Sequence, residues 1–174
     1  CIQITDSSMI VFGEERLDVI SAARQDPALK GVASYLFVPD AGELECPAWA
    51  SDLAEQAADE DYKNPPDTAR MTLGDTALYI FTSGTTGLPK AAVLSNRRYL
   101  LTAASSSKAG LRCDVNDCIY LCLPLYHGTG LFLGVGAAFC TGATMFIRRK
   151  FSASNFLPEV REHGATCFIY IGEL

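Results

Sequence analysis

Apolar residues in this chain come in short runs whose spacing switches between a strand period and a helix period. The run SMIVF (8–12) predicts a buried strand, after which Leu17, Ile20 and Ala23 recur at helical spacing up to Pro27. SYLFV (34–38) predicts a second strand, ended by Pro39 and Asp40, and the acidic stretch 51–61 a short helix with Leu53 and Ala57 inward. KNPPD (63–67) breaks any regular structure. ALYIFT (77–82) predicts a strand that runs into a loop of small residues. That loop is expected to join the strand to a helix over about 95–108, with Ser95 as its N-cap. CIYLCL (118–123), TMFI (144–147) and TCFIYI (166–171) predict three more strands, with helices between them at about 129–140 and 154–163. Strands alternating with helices define an α/β fold, a mainly parallel sheet flanked by helices. The chain shows no internal repeat and no low-complexity tract.

Between Asp117 and Arg148 lie 30 consecutive residues without formal charge. Length alone would allow a membrane span, but Pro124, Tyr126, His127 and five glycines interrupt the stretch. Its densest apolar part, Leu131 to Cys140, is half of the roughly 20 residues a span needs. A buried helix is the expectation. Arg148, Arg149 and Lys150 follow it. They read first as a solvated turn and second as a point of peripheral membrane contact, on the cytoplasmic face.

Composition narrows the function. An apolar fraction of 49% against 20% charged residues is that of a folded domain with a sizeable core. The net charge of −6, from 14 basic and 20 acidic side chains, has the wrong sign for neutralising nucleic-acid phosphates, so no nucleic-acid partner is expected. Seven cysteines, scattered without a CxxC pair, fit a reducing, cytoplasmic compartment. Cys113, Cys118 and Cys122 read as small buried hydrophobes and no metal is assigned to them. Residues 1–20 lack a basic start followed by an apolar block, so no secretory signal is expected, and the chain reads as an internal fragment.

The chemistry concentrates in YIFTSGTTGLPK (79–90), where seven Ser, Thr, Gly and Pro residues separate an apolar triplet from a lysine. Hydroxyls of Thr82, Ser83, Thr85 and Thr86 bind oxygens, Gly84 and Gly87 allow backbone N–H groups to turn inward, and Lys90 adds one positive charge. Phosphate is the guest such a loop suits. The spacing departs from the common P-loop: only two residues separate the glycines, and Ala91 stands where that motif needs a hydroxyl.

These twelve residues resemble the nucleotide-binding signature of the adenylate-forming enzymes. The chain looks most like their fatty acid transport protein and very-long-chain acyl-CoA synthetase branch. Ala91 and Ala92 after Lys90, CLPLYHGTG (122–130), IRRKFSASNF (147–156) and YIGEL (170–174) carry that closer likeness, which spans most of 77–174. The resemblance implies that residues 1–174 are part of a large N-terminal AMP-binding domain, without the C-terminal domain. It further implies a ligase that uses ATP and Mg²⁺ to convert a fatty acid into an acyl adenylate and passes the acyl group to coenzyme A. Lys90 and His127 would be the catalytic residues, Thr82, Ser83, Gly84, Thr85, Thr86, Gly87 and Lys90 would hold the nucleotide, and Tyr126 and His127 would border the acyl substrate. The resemblance implies that His127 positions the carboxylate or its adenylate; read alone, a histidine in an apolar stretch is more often a core residue. His163 is read as exposed. Two alternatives stay open: a fatty acid transport or binding module without activation, and a ligase that loads a carrier protein or activates an amino acid. Acyl chain length, acceptor thiol and oligomeric state are not legible in these residues.

Overall fold

A computed structural model describes residues 1–40, 42, 44–58, 60–82 and 89–172. The chain forms two compact units, Cys1–Arg70 and Met71–Leu174.

The first unit is built on a three-stranded parallel sheet in the order β1 (Met9–Gly13), β2 (Ser34–Val38), β3 (Ser51–Asp52). The one-turn helix α1 (Ile2–Thr5) precedes it, α2 (Leu17–Ala23) crosses from β1 to β2, and α3 (Leu53–Ala58) follows β3. Phe12 and Phe37 sit opposite each other in register and are buried, and Trp49 stacks on Phe12 at 5.5 Å between ring centroids. The Arg24 guanidinium covers Trp49 at 4.7 Å. The bounds of β2 are those the apolar run predicts. In α3, however, Leu53 is half-buried while Ala57 is exposed, because so short a helix turns only its first residue toward the sheet.

The second unit opens with an antiparallel hairpin, β4 (Thr76–Thr82) and β5 (Lys90–Ser95), with Thr82 facing Lys90 in register. This corrects the expectation that the small-residue loop joins a strand directly to a helix. Residues 90–95 pair back on β4, and the helix α4 (Asn96–Ser105) starts only after them. Ser95 caps that helix as predicted, its Oγ accepting from Arg98 N at 3.3 Å.

A three-stranded parallel sheet follows, in the order β7 (Thr144–Ile147), β6 (Cys118–Leu121), β8 (Cys167–Ile169). Central β6 is buried along its whole length, which explains its unbroken apolar run. Two crossovers cover it: Thr129–Val135 continuing into α5 (Gly136–Thr141), and α6 (Ala153–Glu162). Thr129–Val135 and Ser106–Leu111 are π-helical, and Ser106 Oγ donates to the Leu133 carbonyl at 2.9 Å, tying the two wide turns together. Cys113, Cys118 and Cys122 are buried, as read from the sequence. No helix among the described residues is long and apolar enough to cross a membrane.

Candidate functional site

The hairpin β4–β5 exists because both strands can bury one face. Leu78, Ile80 and Leu94 turn inward and are covered, whereas Tyr79 and Val93, a cross-strand pair, stay exposed. Thr82 and Lys90 are the last pair of this ladder, and both are exposed. The predicted phosphate-binding residues Ser83, Gly84, Thr85, Thr86 and Gly87 lie outside the described residues. The structure therefore brings together the two ends of the motif, Thr82 and Lys90, on adjacent strands.

The second motif leaves the C-terminal end of β6, the end at which parallel sheets bind ligands. Pro124 closes a tight turn by accepting from His127 N at 3.1 Å, and the His127 carbonyl accepts from Leu131 N at 3.0 Å as the next helix begins. Gly130 must be glycine here: a Cβ at this position would meet the Pro124 carbonyl oxygen at 2.4 Å. Gly128 packs beside β4, the site of a Cβ there lying 3.8 Å from Ile80 Cδ1, two residues short of Thr82. Segment 122–130 thus touches the strand that carries the first motif at Gly128.

Tyr126 and His127 are both exposed, Tyr126 at 83%. The Thr129 N–H donates to His127 Nδ1 at 3.4 Å, so the proton of the neutral ring sits on Nε2, which is left to donate outward. His163 is exposed as read, and its ring stacks on Phe146 at 4.0 Å.

One group of polar residues escaped the sequence reading. The Tyr120 hydroxyl, on buried β6, donates to Glu159 Oε2 at 2.6 Å, and Glu159 Oε1 lies 3.1 Å from Arg148 Nε. That last contact is an ion pair by distance, with the N–H direction missing hydrogen-bond alignment. Burial, and then the hydrogen bond to Glu159, push the Tyr120 hydroxyl up to about 12. Arg148 is therefore no simple solvated turn residue: its side chain is 35% exposed and anchored on α6. Nothing in the spacing of Tyr120, Arg148 and Glu159 marks the trio, because parallel pairing of β6 with β7 and the fold-back of α6 bring them together.

A groove of about 680 Å³ in the first unit, lined by Pro39, Cys46, Asp52 and Glu55 among others, contains none of the predicted site residues. Among the described residues, no group of three or more His, Cys, Asp or Glu could hold a metal ion.

The AMP-binding enzyme family matches residues 2–174, and the chain belongs to that family. It is 39% identical over 176 residues to long-chain fatty acid transport protein 3 of Mus musculus, covering 100% of this chain and 26% of that protein. It is 46% identical over 111 residues to the medium/long-chain-fatty-acid–CoA ligase FadD6 of Mycobacterium tuberculosis, covering 64% of this chain and 19% of the relative. The chain thus spans about a fifth to a quarter of these relatives. A solved structure of a putative long-chain-fatty-acid CoA ligase from Rhodopseudomonas palustris superposes with a TM-score of 0.79 at 23% identity, over 98% of this chain and 40% of that one. That likeness establishes the fold.

Proposed function

We propose that this chain is part of an ATP-dependent acyl-CoA ligase that activates a long- or very-long-chain fatty acid as its acyl adenylate and transfers the acyl group to coenzyme A. The observation that carries the proposal is the 79–90 motif, in which Thr82 and Lys90 pair in register on adjacent strands. Hydroxyls, glycines and one lysine are a donor set for the β and γ phosphates of ATP, so the residues fit the nucleotide. The fatty acid and thiol come from the relatives' names, a CoA ligase and a long-chain fatty acid transport protein.

The fatty carboxylate oxygen attacks the α-phosphorus, a bond from phosphorus to the bridging oxygen breaks, and pyrophosphate leaves with the electron pair. Lys90 holds charge that develops on this leaving group, while the loop hydroxyls keep the phosphates in line. His127, with Nε2–H outward, orients the carboxylate or the carbonyl oxygen of the adenylate, and Tyr126 walls the acyl group beside it. In the second step the thiol sulfur attacks the acyl carbon and AMP leaves. Bound Mg²⁺ supplies further neutralisation of phosphate charge, and none of the described residues is assigned to hold it.

Acid-dependent exchange of pyrophosphate into ATP by the full-length parent tests the first half-reaction alone. Exchange with a long-chain fatty acid is the expected result. Its absence, with the acid still bound, would favour a second reading, a transport or binding module, which the match of this whole chain to 26% of a fatty acid transport protein supports.

A further inference from the structure

The Tyr120, Glu159 and Arg148 trio has no part in the chemistry just described, yet it is built like a support. Glu159 accepts from the Tyr120 hydroxyl with one carboxylate oxygen and holds Arg148 Nε in an ion pair, not a hydrogen bond, with the other. Rings of Phe146, Phe156 and Phe168 pack around Tyr120 at 5.1 to 5.6 Å and hold the donor in place. What this leaves is a guanidinium held from behind. Among the described residues no hydrogen bond reaches its two terminal nitrogens, and the side chain is one-third exposed. Arg148 follows the last residue of β7, and its N–H donates to the Leu121 carbonyl at 2.8 Å. It therefore sits at the C-terminal end of the sheet, the same end from which Tyr126 and His127 depart. Arg149 and Lys150, both exposed, add positive charge beside it. A planar fork anchored by an ion pair at Nε, with flanking cations, suits a phosphate monoester, which offers two or more oxygens to parallel N–H donors.

We propose that Arg148, positioned by Glu159 and Tyr120, binds the terminal phosphate monoester of the thiol cosubstrate. Resting on the ligase reading above, the assignment makes Arg148 a binding residue for coenzyme A and the other two positioning residues. A charged guanidinium that merely balanced Glu159 would serve stability alone, and would be indifferent to the phosphates of a ligand.

The test compares coenzyme A with its analogue lacking the 3′-phosphate, in the full-length parent carrying Arg148→Lys, which keeps the countercharge for Glu159 and removes the fork. Titration calorimetry reads binding without requiring turnover, and pyrophosphate exchange reads the thiol-independent half-reaction. Loss of a bidentate charged contact should weaken coenzyme A binding by roughly 10 to 30 fold and leave the analogue within about twofold. Tyr120→Phe should produce the same selective loss at about threefold, with exchange unchanged in both variants. Equal losses for the two ligands, or none, would overturn the proposal. So would selective loss of binding to phosphatidylserine vesicles with coenzyme A binding intact, which would place a lipid headgroup on Arg148. Failure of the ligase reading looks different: wild-type protein would then bind coenzyme A selectively without any exchange activity.

Discussion

Lys90 stands where two kinds of requirement separate cleanly. Its side chain is exposed at the end of β5, so it contributes within about 0.5 kcal/mol to folding, whereas a charged contact to a leaving phosphate contributes on the order of 2 to 3 kcal/mol. In the full-length parent, Lys90→Ala is therefore expected to lower pyrophosphate exchange by roughly 30 to 150 fold with an unchanged melting temperature. Thr85→Ala should show a smaller loss in the same assay. Exchange unaffected by Lys90→Ala would remove the phosphate assignment of the hairpin. Glycines give the opposite contrast, since their effect is on stability alone. A methyl group at Gly130 would run into the Pro124 carbonyl oxygen at 2.4 Å, while at Gly110 the nearest atom is Ser106 Oγ at 3.8 Å. Gly130→Ala should cost about 2 to 3 kcal/mol in urea unfolding and Gly110→Ala should be neutral or slightly stabilising. Similar midpoints for the two variants would mean the 124–130 turn relaxes at no cost.

At the scale of elements, the Tyr120 hydroxyl links β6 to α6 and makes a pH-dependent contribution. A phenol raised from its usual 10 to about 12 is held neutral by burial and by the Glu159 carboxylate. Its stabilisation is fully present below pH 10, where both folded and unfolded forms are neutral, and is lost as pH rises through about 12. The shift corresponds to roughly 2 to 3 kcal/mol. Urea midpoints measured from pH 8 to pH 12 should fall more steeply for wild type than for Tyr120→Phe; parallel slopes would show that another group dominates alkaline unfolding. The same elements show what a sequence carries and what it hides. SYLFV and TMFI have the bounds of β2 and β7 because each is an apolar run bordered by residues that end strands. β5 was hidden: Ala91 and Ala92 are weak strand formers, and Lys90–Ser95 becomes a strand only through its ladder with β4. The π-helical turns were hidden too, since helical periodicity is nearly the same for the two forms over one or two turns. At the candidate site, the hydroxyl and glycine pattern of 79–90 is visible in the sequence, and of its proposed phosphate ligands only Thr82 and Lys90 lie among the described residues. The anchoring of Arg148 is not visible there, because it depends on Glu159, eleven residues away and on another element.

For the whole molecule, the distribution of core residues between the two units sets the order in which they should unfold. Among the described residues of the first unit only Phe12 and Phe37 are buried apolar side chains, whereas the second unit buries β6 entirely, together with Phe132, Ala137, Ala138 and Ile169. A unit of about 70 residues with so small a core is marginal. The segment from 60 to 77, which contains the boundary at Arg70, is exposed throughout. The single tryptophan, Trp49, lies in the first unit against Phe12 and Tyr35, so its fluorescence reports that unit alone. Far-UV circular dichroism draws most of its helical signal from α4, α5 and α6 of the second unit. Urea unfolding of this chain should therefore show the Trp49 transition at lower denaturant than the loss of ellipticity, with a separate, smaller m-value. Replacing Arg24 by Ala, which strips the guanidinium from the Trp49 face, should move the fluorescence transition further down, by about 0.5 to 1 kcal/mol, and leave the circular dichroism midpoint in place. Coincident transitions that shift together in Arg24→Ala would mean that the two units unfold as one cooperative body despite their unequal cores.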